Sequence, residues 1–222
     1  MNIYFNKKYT SILVGIVTLF SLFSCVPCTE SDCPEVEFKD ENFENVIRNI
    51  LDNPDGKITE EDMLSIHEIY GAYNEITDIK GIEFCTNLHT LDLQHNNLTD
   101  ISLLSDLTII HYLNLRNNNI ADISPISDLI IMEELYLNHN EIVDIGPIKP
   151  MRKIAKLFLH NNNIVNIEPL VVNSGIDDGD SVELRNNPLN SKSINNYIPR
   201  LERRGVTVHY KSYIPSTPEQ HS

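Results

Sequence analysis

The sequence predicts an α/β solenoid in which short parallel strands stack on one side and turns or 3₁₀-like segments return the chain on the other. Two observations predict this fold class. Asparagine recurs every 22 residues, at Asn74, Asn96, Asn118, Asn140 and Asn162. Ahead of each asparagine, apolar and polar residues alternate as in a strand with one buried face. Because a single repeat cannot bury its apolar face, the copies are expected to stack.

The repeats cover residues 66–190. The clearest copy places its apolar residues at Leu88, Leu91, Leu93, Leu98, Ile101, Leu104 and Leu107. The first copy is degenerate, and the sixth follows an insertion of three residues within 173–180. Pro125, Pro147 and Pro169 lie in the returning segments, where they favour irregular backbone over long helices.

Two polar columns run through these repeats. A buried asparagine amide offers donors and an acceptor to backbone groups that are left unpaired where the chain turns away from the strand. The aspartates that follow favour Asx-type turns at Asp78, Asp100, Asp122 and Asp144. Asn166 stands at the next position of this column without breaking the repeat. Both columns are therefore expected to be structural.

The pattern LxxLxLxxNxLxDIxxLxxL resembles leucine-rich repeats, in the short 22-residue class of internalins and similar bacterial surface proteins. The resemblance covers about residues 34–210. It implies short parallel strands on a concave face, 3₁₀ or turn segments on a convex face, and a helical cap at the amino-terminal end. It also implies a binding function for the concave face.

Residues 34–65 are expected to form the amino-terminal cap, since an exposed solenoid end must be covered. Apolar residues at helical spacing predict an amphipathic helix, at Phe43, Val46, Ile47, Ile50 and Leu51. Asp40 is suited to begin this helix. Thr59 with Asp62 resembles a capping box that opens a second short helix.

Residues 191–211 are expected to form the carboxy-terminal cap. Its apolar stripe consists of Ile194, Tyr197, Ile198 and Leu201. Pro199 interrupts the stripe, which predicts a kink or two short helices. Residues 206–208 are suited to a last edge strand, and 212–222 to a frayed tail.

The amino terminus has the features of a secretory signal. Lys7 and Lys8 precede an uncharged apolar run at 11–24. This run is shorter than a typical transmembrane helix and has the length of the apolar region of a signal peptide. We expect residues 1–24 to be a signal peptide.

The run ends in Leu-Phe-Ser-Cys at 22–25, which resembles the lipobox of bacterial lipoproteins. The resemblance implies a lipid anchor on Cys25, hence a location at the bacterial cell envelope or surface, followed by a linker over 25–33. The alternatives to a lipid-anchored chain are ordinary cleavage near Ser24, which would release a secreted protein, and an uncleaved anchor. An oxidising compartment permits a disulfide between Cys28 and Cys33, which their spacing alone does not establish.

The net charge of −15 disfavours nucleic acid as a partner, since phosphate groups would be repelled. We expect a protein partner, with a glycan as an alternative, no cofactor, and a monomer. The concave face is the expected binding site, with contact residues Tyr70, Asp92, Tyr112, Asn114, Tyr136, Phe158, Glu183, His95 and His139. Tyr112, Tyr136 and Phe158 lie in consecutive repeats and predict one aromatic patch, because exposed aromatics often anchor interfaces.

Neither catalysis nor a metal site is expected. His67, His89 and His111 occupy one column, but side chains stacked in parallel seldom converge on one ion. Cys85 replaces a core leucine and is interpreted as a small buried hydrophobe. The sequence contains no Ser/His/Asp motif, phosphate loop or HExxH motif. The alternative to a binding module is a structural or scaffold lipoprotein of the bacterial envelope.

Overall fold

The computed structural model describes residues 34–211. The expected signal peptide 1–24, the lipid-anchor residue Cys25, the linker 25–33 and the tail 212–222 all lie outside the described residues. Within the described part, no helix has the length and apolar character needed to cross a membrane.

Seven strands form one parallel sheet in chain order. They are β1 Glu68–Tyr70, β2 Thr90–Asp92, β3 Tyr112–Asn114, β4 Glu134–Tyr136, β5 Lys156–Phe158, β6 Ser181–Glu183 and β7 Thr207–His209. Each central residue pairs with the central residue of the next strand, as Leu91 does with Leu113. These central side chains point into the core and, from β1 to β6, are fully buried. The sheet confirms the predicted strands, including the last edge strand.

The returning segments pack on the other side of the core. Four are 3₁₀ turns, at Ile82–Phe84, Ser102–Leu104, Ser124–Ile126 and Gly146–Ile148. The fifth is a short α-helix, α3, at Glu168–Val172, with Pro169 in its first turn. Proline is compatible with a first helical turn, where its missing N–H would have no intrahelical acceptor. A five-residue α-helix thus replaces the 3₁₀ turn in this repeat, and the segment is still far from the long helix that the prolines were expected to disfavour.

The asparagine column is buried and bonded to the backbone, as Asn118 illustrates. Its Oδ1 accepts the N–H of Leu98 at 3.0 Å. Its Nδ2 donates to the carbonyls of Leu93 at 3.0 Å and Leu115 at 3.1 Å. Each amide thus joins its own repeat to the preceding one, which confirms the predicted structural role.

Asn74 is the exception in this column, because it is exposed and its amide donates to the carbonyl of Ala72 in its own turn. The reason is its position in the first repeat. The amino-terminal cap precedes that repeat, so there is no earlier strand whose turn Asn74 would join. Including Asn74 in the buried column is therefore wrong.

The aspartate column forms the predicted Asx turns. Asp78, Asp100, Asp122 and Asp144 each accept the backbone N–H two residues later, at 2.7 to 2.8 Å. Asn166 makes the same bond at 3.0 Å, which explains why it is compatible with the repeat.

Two helices, α1 Glu41–Leu51 and α2 Glu60–Leu64, cover the first repeat. Asp40 caps α1, and its other oxygen accepts the backbone N–H and the hydroxyl of Thr77, both at 2.7 Å. The capping box of Thr59 and Asp62 opens α2 as predicted. Asp40 therefore joins the cap to the repeats.

The carboxy-terminal end consists of a π-helical turn at Ser193–Tyr197 followed by α4 at Ile198–Glu202. Pro199 lies in the first turn of α4, so the predicted pair of short helical segments is confirmed. The Arg204 guanidinium donates to the carbonyls of Asn173 and Val171. These bonds tie the carboxy-terminal cap to α3 and to the start of the inserted segment.

Candidate functional site

The outward-facing side chains of β1–β7 and of the three residues after each strand are called the strand face here. It corresponds to the concave face of the sequence prediction. Two columns of side chains run across the strands. The first contains Glu68, Thr90, Tyr112, Glu134 and Lys156, and the second Tyr70, Asp92, Asn114, Tyr136, Phe158 and Glu183.

A continuous row of aromatic rings crosses the middle of the strand face. The ring centroids of Tyr112 and Tyr136 lie 5.5 Å apart, and those of Tyr136 and Phe158 lie 4.7 Å apart with nearly parallel planes. The three rings are half-buried, not fully exposed as expected. The spacing of neighbouring strands, about 4.8 Å, accounts for this, because it places one ring against the next.

An ion pair and a hydrogen bond hold the centre of this row. The Glu134 carboxylate accepts the Tyr136 hydroxyl at 2.7 Å and pairs with the Lys156 ammonium at 2.8 Å. The pKa of Glu134 is lowered mainly by the hydrogen bond from Lys156 and, to a smaller extent, by the one from Tyr136. Burial and the bond to Glu134 raise the pKa of the Tyr136 hydroxyl, so this tyrosine is neutral at physiological pH.

Three expected contact residues are buried, and their side chains form hydrogen bonds within the protein. Asp92, Asn114 and Glu183 are only 9%, 6% and 5% exposed. Asp92 accepts from the side-chain amides of Gln94 and Asn114, at 3.1 and 3.0 Å. Glu183 accepts two bonds from the Arg185 guanidinium, at 2.8 and 2.7 Å. Interpreting the three as exposed contacts is wrong, because these bonds draw the side chains onto the sheet.

Of the other expected residues, Tyr70 and His139 are exposed and His95 is half-buried. Tyr70 is 64% exposed at the amino-terminal end of the strand face. His95 stacks on Tyr73 with centroids 4.2 Å apart, and His139 is exposed. Left-handed backbone recurs along this column, at Tyr73, His95, Asn117, His139, Asn161 and Asn186. Asparagine and histidine are among the residues that tolerate this conformation, which was a signal the sequence analysis did not use.

His160 extends the aromatic row and was not among the site residues predicted from the sequence. Its ring lies edge-on to Phe158 at 6.4 Å and to His139 at 5.4 Å between centroids. Its buried Nδ1 has no hydrogen-bond partner among residues 34–211. Burial lowers the pKa of both histidines. His160 is the second residue after β5. The column formed by the second residue after each strand was not expected to lie on the strand face.

The histidine column at the edge of the strand face also stacks as predicted. Ring centroids of His67 and His89 lie 5.9 Å apart, and those of His89 and His111 lie 5.4 Å apart with nearly parallel planes. In the part of the chain that is described, no three histidine, cysteine or acidic side chains are grouped to hold a metal ion.

Comparisons with known proteins give the fold a name. Residues 86–130 match the model of the family described as Leucine Rich repeats (2 copies). An internalin (inlF) from Listeria monocytogenes is similar in structure, with a TM-score of 0.66 and 29% identity over 78% of this chain and 56% of its own. An internalin C2 of the same species has a TM-score of 0.48 and 20% identity, over 78% of this chain and 94% of its own. No curated protein matches the sequence.

The fold is a leucine-rich-repeat solenoid. The chain spans 56% of the length of the internalin (inlF) to which it is similar. The leucine-rich repeats and the similarity to the internalin (inlF) suggest a protein-interaction module, a type of domain that is typically not an enzyme.

Proposed function

We propose that this protein is a non-enzymatic binding module that recognises a protein partner through the strand face. The observation that carries the proposal is the aromatic row of Tyr112, Tyr136, Phe158 and His160. Tyrosine and other aromatic side chains dominate the binding energy of protein interfaces, because they bury a large area at a small entropic cost.

The row is also fixed before any partner arrives. Its rings contact one another, and Glu134 is held by Tyr136 and Lys156. The backbone beneath is a continuous hydrogen-bonded sheet. Binding to such a surface orders few side chains, so less of the contact energy is lost.

Display at the bacterial cell surface through a lipid on Cys25 belongs to the same proposal. Its support is the order of Lys7 and Lys8, the apolar run at 11–24 and the Leu-Phe-Ser-Cys sequence that ends at Cys25. Expression in a bacterium with a labelled fatty acid tests it. We expect label on the wild-type chain and none on Cys25→Ala, and equal labelling of the two would contradict the lipid anchor.

The binding proposal is tested by capturing partners from two sources, extracts of the surfaces of other cells and extracts of the bacterium's own envelope. Two baits are compared, the wild-type chain and a Tyr136→Ala, Phe158→Ala variant. We expect a protein that the wild type retains and the variant does not. Capture of envelope components alone, equally by both baits, would favour the alternative of a structural scaffold lipoprotein. A glycan partner would be retained after proteolysis of the extract and lost after glycosidase treatment.

A further inference from the structure

A groove lies on the strand face beside the aromatic row, with a volume of about 470 Å³. It is lined by Tyr70, Thr90, His111, Tyr112, Glu133 and Glu134. The short Thr90 side chain on β2 lies between the longer side chains of β1 and β3, which is why the surface is recessed there. Tyr70 and Tyr112 thus contribute aromatic rings on either side of a shallow floor.

The charge around this groove is negative. Glu133 is exposed and takes part in none of the five ion pairs between described residues, whereas Glu134 is neutralised by Lys156. Asp92 lies on the same strand as Thr90, and its bonds from Gln94 and Asn114 come from uncharged amides. None of the five ion pairs within residues 34–211 involves this buried carboxylate.

The charge of Asp92 reaches both tyrosines that line the groove. The pKa of Tyr70 is raised mainly by its hydrogen bond to Glu68, and Asp92 adds to this. The pKa of Tyr112 is raised mainly by burial, and again Asp92 adds to it. Both tyrosines therefore lie close enough to the Asp92 carboxylate for its negative charge to act on them.

The surrounding part of the chain strengthens this field. Residues 34–148 contain 23 acidic and 5 basic side chains, whereas residues 149–211 contain 6 acidic and 10 basic ones. The groove lies in the acidic part. Such an asymmetry attracts cationic groups to one end of the solenoid and repels anionic groups from it.

We infer that this groove receives a basic side chain, arginine or lysine, of the protein partner. The inference rests on the proposed function, since it names the chemistry of the partner at one end of the strand face. The cation would lie against the Tyr70 and Tyr112 rings, as in cation–π contacts, with Glu133 and Asp92 supplying negative charge. A guanidinium group fits best, because its flat face stacks on a ring while its edges donate to carboxylates.

Other occupants fit less well. An anionic group would face the Glu133 carboxylate, and the nearby Lys156 ammonium is already paired with Glu134. A purely apolar side chain would desolvate the exposed Glu133 carboxylate without compensation, which costs free energy. Charge complementarity therefore favours a cationic side chain as the occupant of the groove.

The test uses a capped heptapeptide of glycine and serine with one central arginine, titrated into the full chain in detergent and followed by NMR. We expect saturable shifts at Tyr70, Thr90 and Tyr112. A matched peptide with citrulline, which is neutral and has nearly the same shape, should bind at least about tenfold more weakly. A lysine peptide should bind the same residues.

Two variants locate the site. Tyr70→Ala and Glu133→Gln should each lower the affinity for the arginine peptide about three- to tenfold. Because both side chains are exposed, both variants should retain the fold. Glu141→Gln removes an exposed carboxylate that does not line the groove and should leave the affinity unchanged. Equal binding of the arginine and citrulline peptides, or equal losses in Glu133→Gln and Glu141→Gln, would overturn the inference.

Failure of this inference is distinguishable from failure of the proposed function. Partner capture that depends on the aromatic row, together with no arginine preference, would overturn the groove assignment alone. Arginine binding in the groove without capture of any protein through the strand face would overturn the proposed function and leave the preference of the groove for a cation intact.

Discussion

Replacing Asn118 by alanine tests the mechanical basis of the solenoid. The Leu98 N–H bonds to the Asn118 side chain and would be left unpaired in the core. The carbonyls of Leu93 and Leu115 would lose one bond each, but they would keep a second one, from Asn96 and Asn140 respectively. One orphaned donor costs about 1–3 kcal/mol, and two weakened acceptors add to it, so we expect a loss of about 2–4 kcal/mol.

Urea unfolding followed by circular dichroism measures this loss. The matched control is Asn119→Ala, since Asn119 is the next residue along the chain and is exposed. We expect the control to change the free energy of unfolding by about 0.5 kcal/mol or less. Equal unfolding midpoints for the two variants would refute the assignment of Asn118 to the interior.

Three further substitutions and one chemical reaction test other parts of the structure. Asp40→Ala should cost about 1–2 kcal/mol at pH 7, because it removes a helix cap and the bond to Thr77. Burial raises the pKa of Asp40, but the hydrogen bonds that its carboxylate accepts outweigh burial and lower this pKa overall. The stability that Asp40 contributes is therefore lost as the pH falls. The difference in urea midpoint between the wild type and Asp40→Ala should accordingly disappear in acid. Asp122→Asn should leave the urea midpoint nearly unchanged, since Asn166 makes the equivalent bond, whereas Asp122→Ala should lower it. Cys85 should resist alkylation at pH 8 until the protein unfolds, as measured by mass spectrometry, because burial raises the pKa of its thiol to about 12.

The repeat spacing was sufficient to predict the strands, their register and the structural columns. Residues 22 apart pair across β2 to β5 because every repeat has the same length, so the alignment of Leu91, Leu113, Leu135 and Leu157 in the sequence is also their alignment in space. The Asx turns were predictable for a similar reason, since each depends on one side chain and the backbone two residues later.

The details of the strand face were less predictable. Alternation shows which side of a strand a residue occupies, but not whether neighbouring repeats cover it. Asp92 is buried because Gln94 and Asn114 bond to its carboxylate, and that depends on the residues of two repeats together. His160 was missed because it follows β5, and only the three-dimensional structure brings its ring against Phe158 and His139.

The most direct test of the central claim is the affinity of the captured partner for variants of the two sides of the solenoid. One variant carries Tyr112→Ala, Tyr136→Ala and Phe158→Ala, and the other Ser105→Ala and Ser127→Ala on the returning segments. Because the three rings are half-buried, circular dichroism should first show that the aromatic variant is folded at the assay temperature. We expect it to lose about 2 kcal/mol or more, roughly thirtyfold in affinity, and the serine variant to bind like the wild type. Wild-type affinity in the aromatic variant with a loss in the serine variant would contradict binding through the strand face.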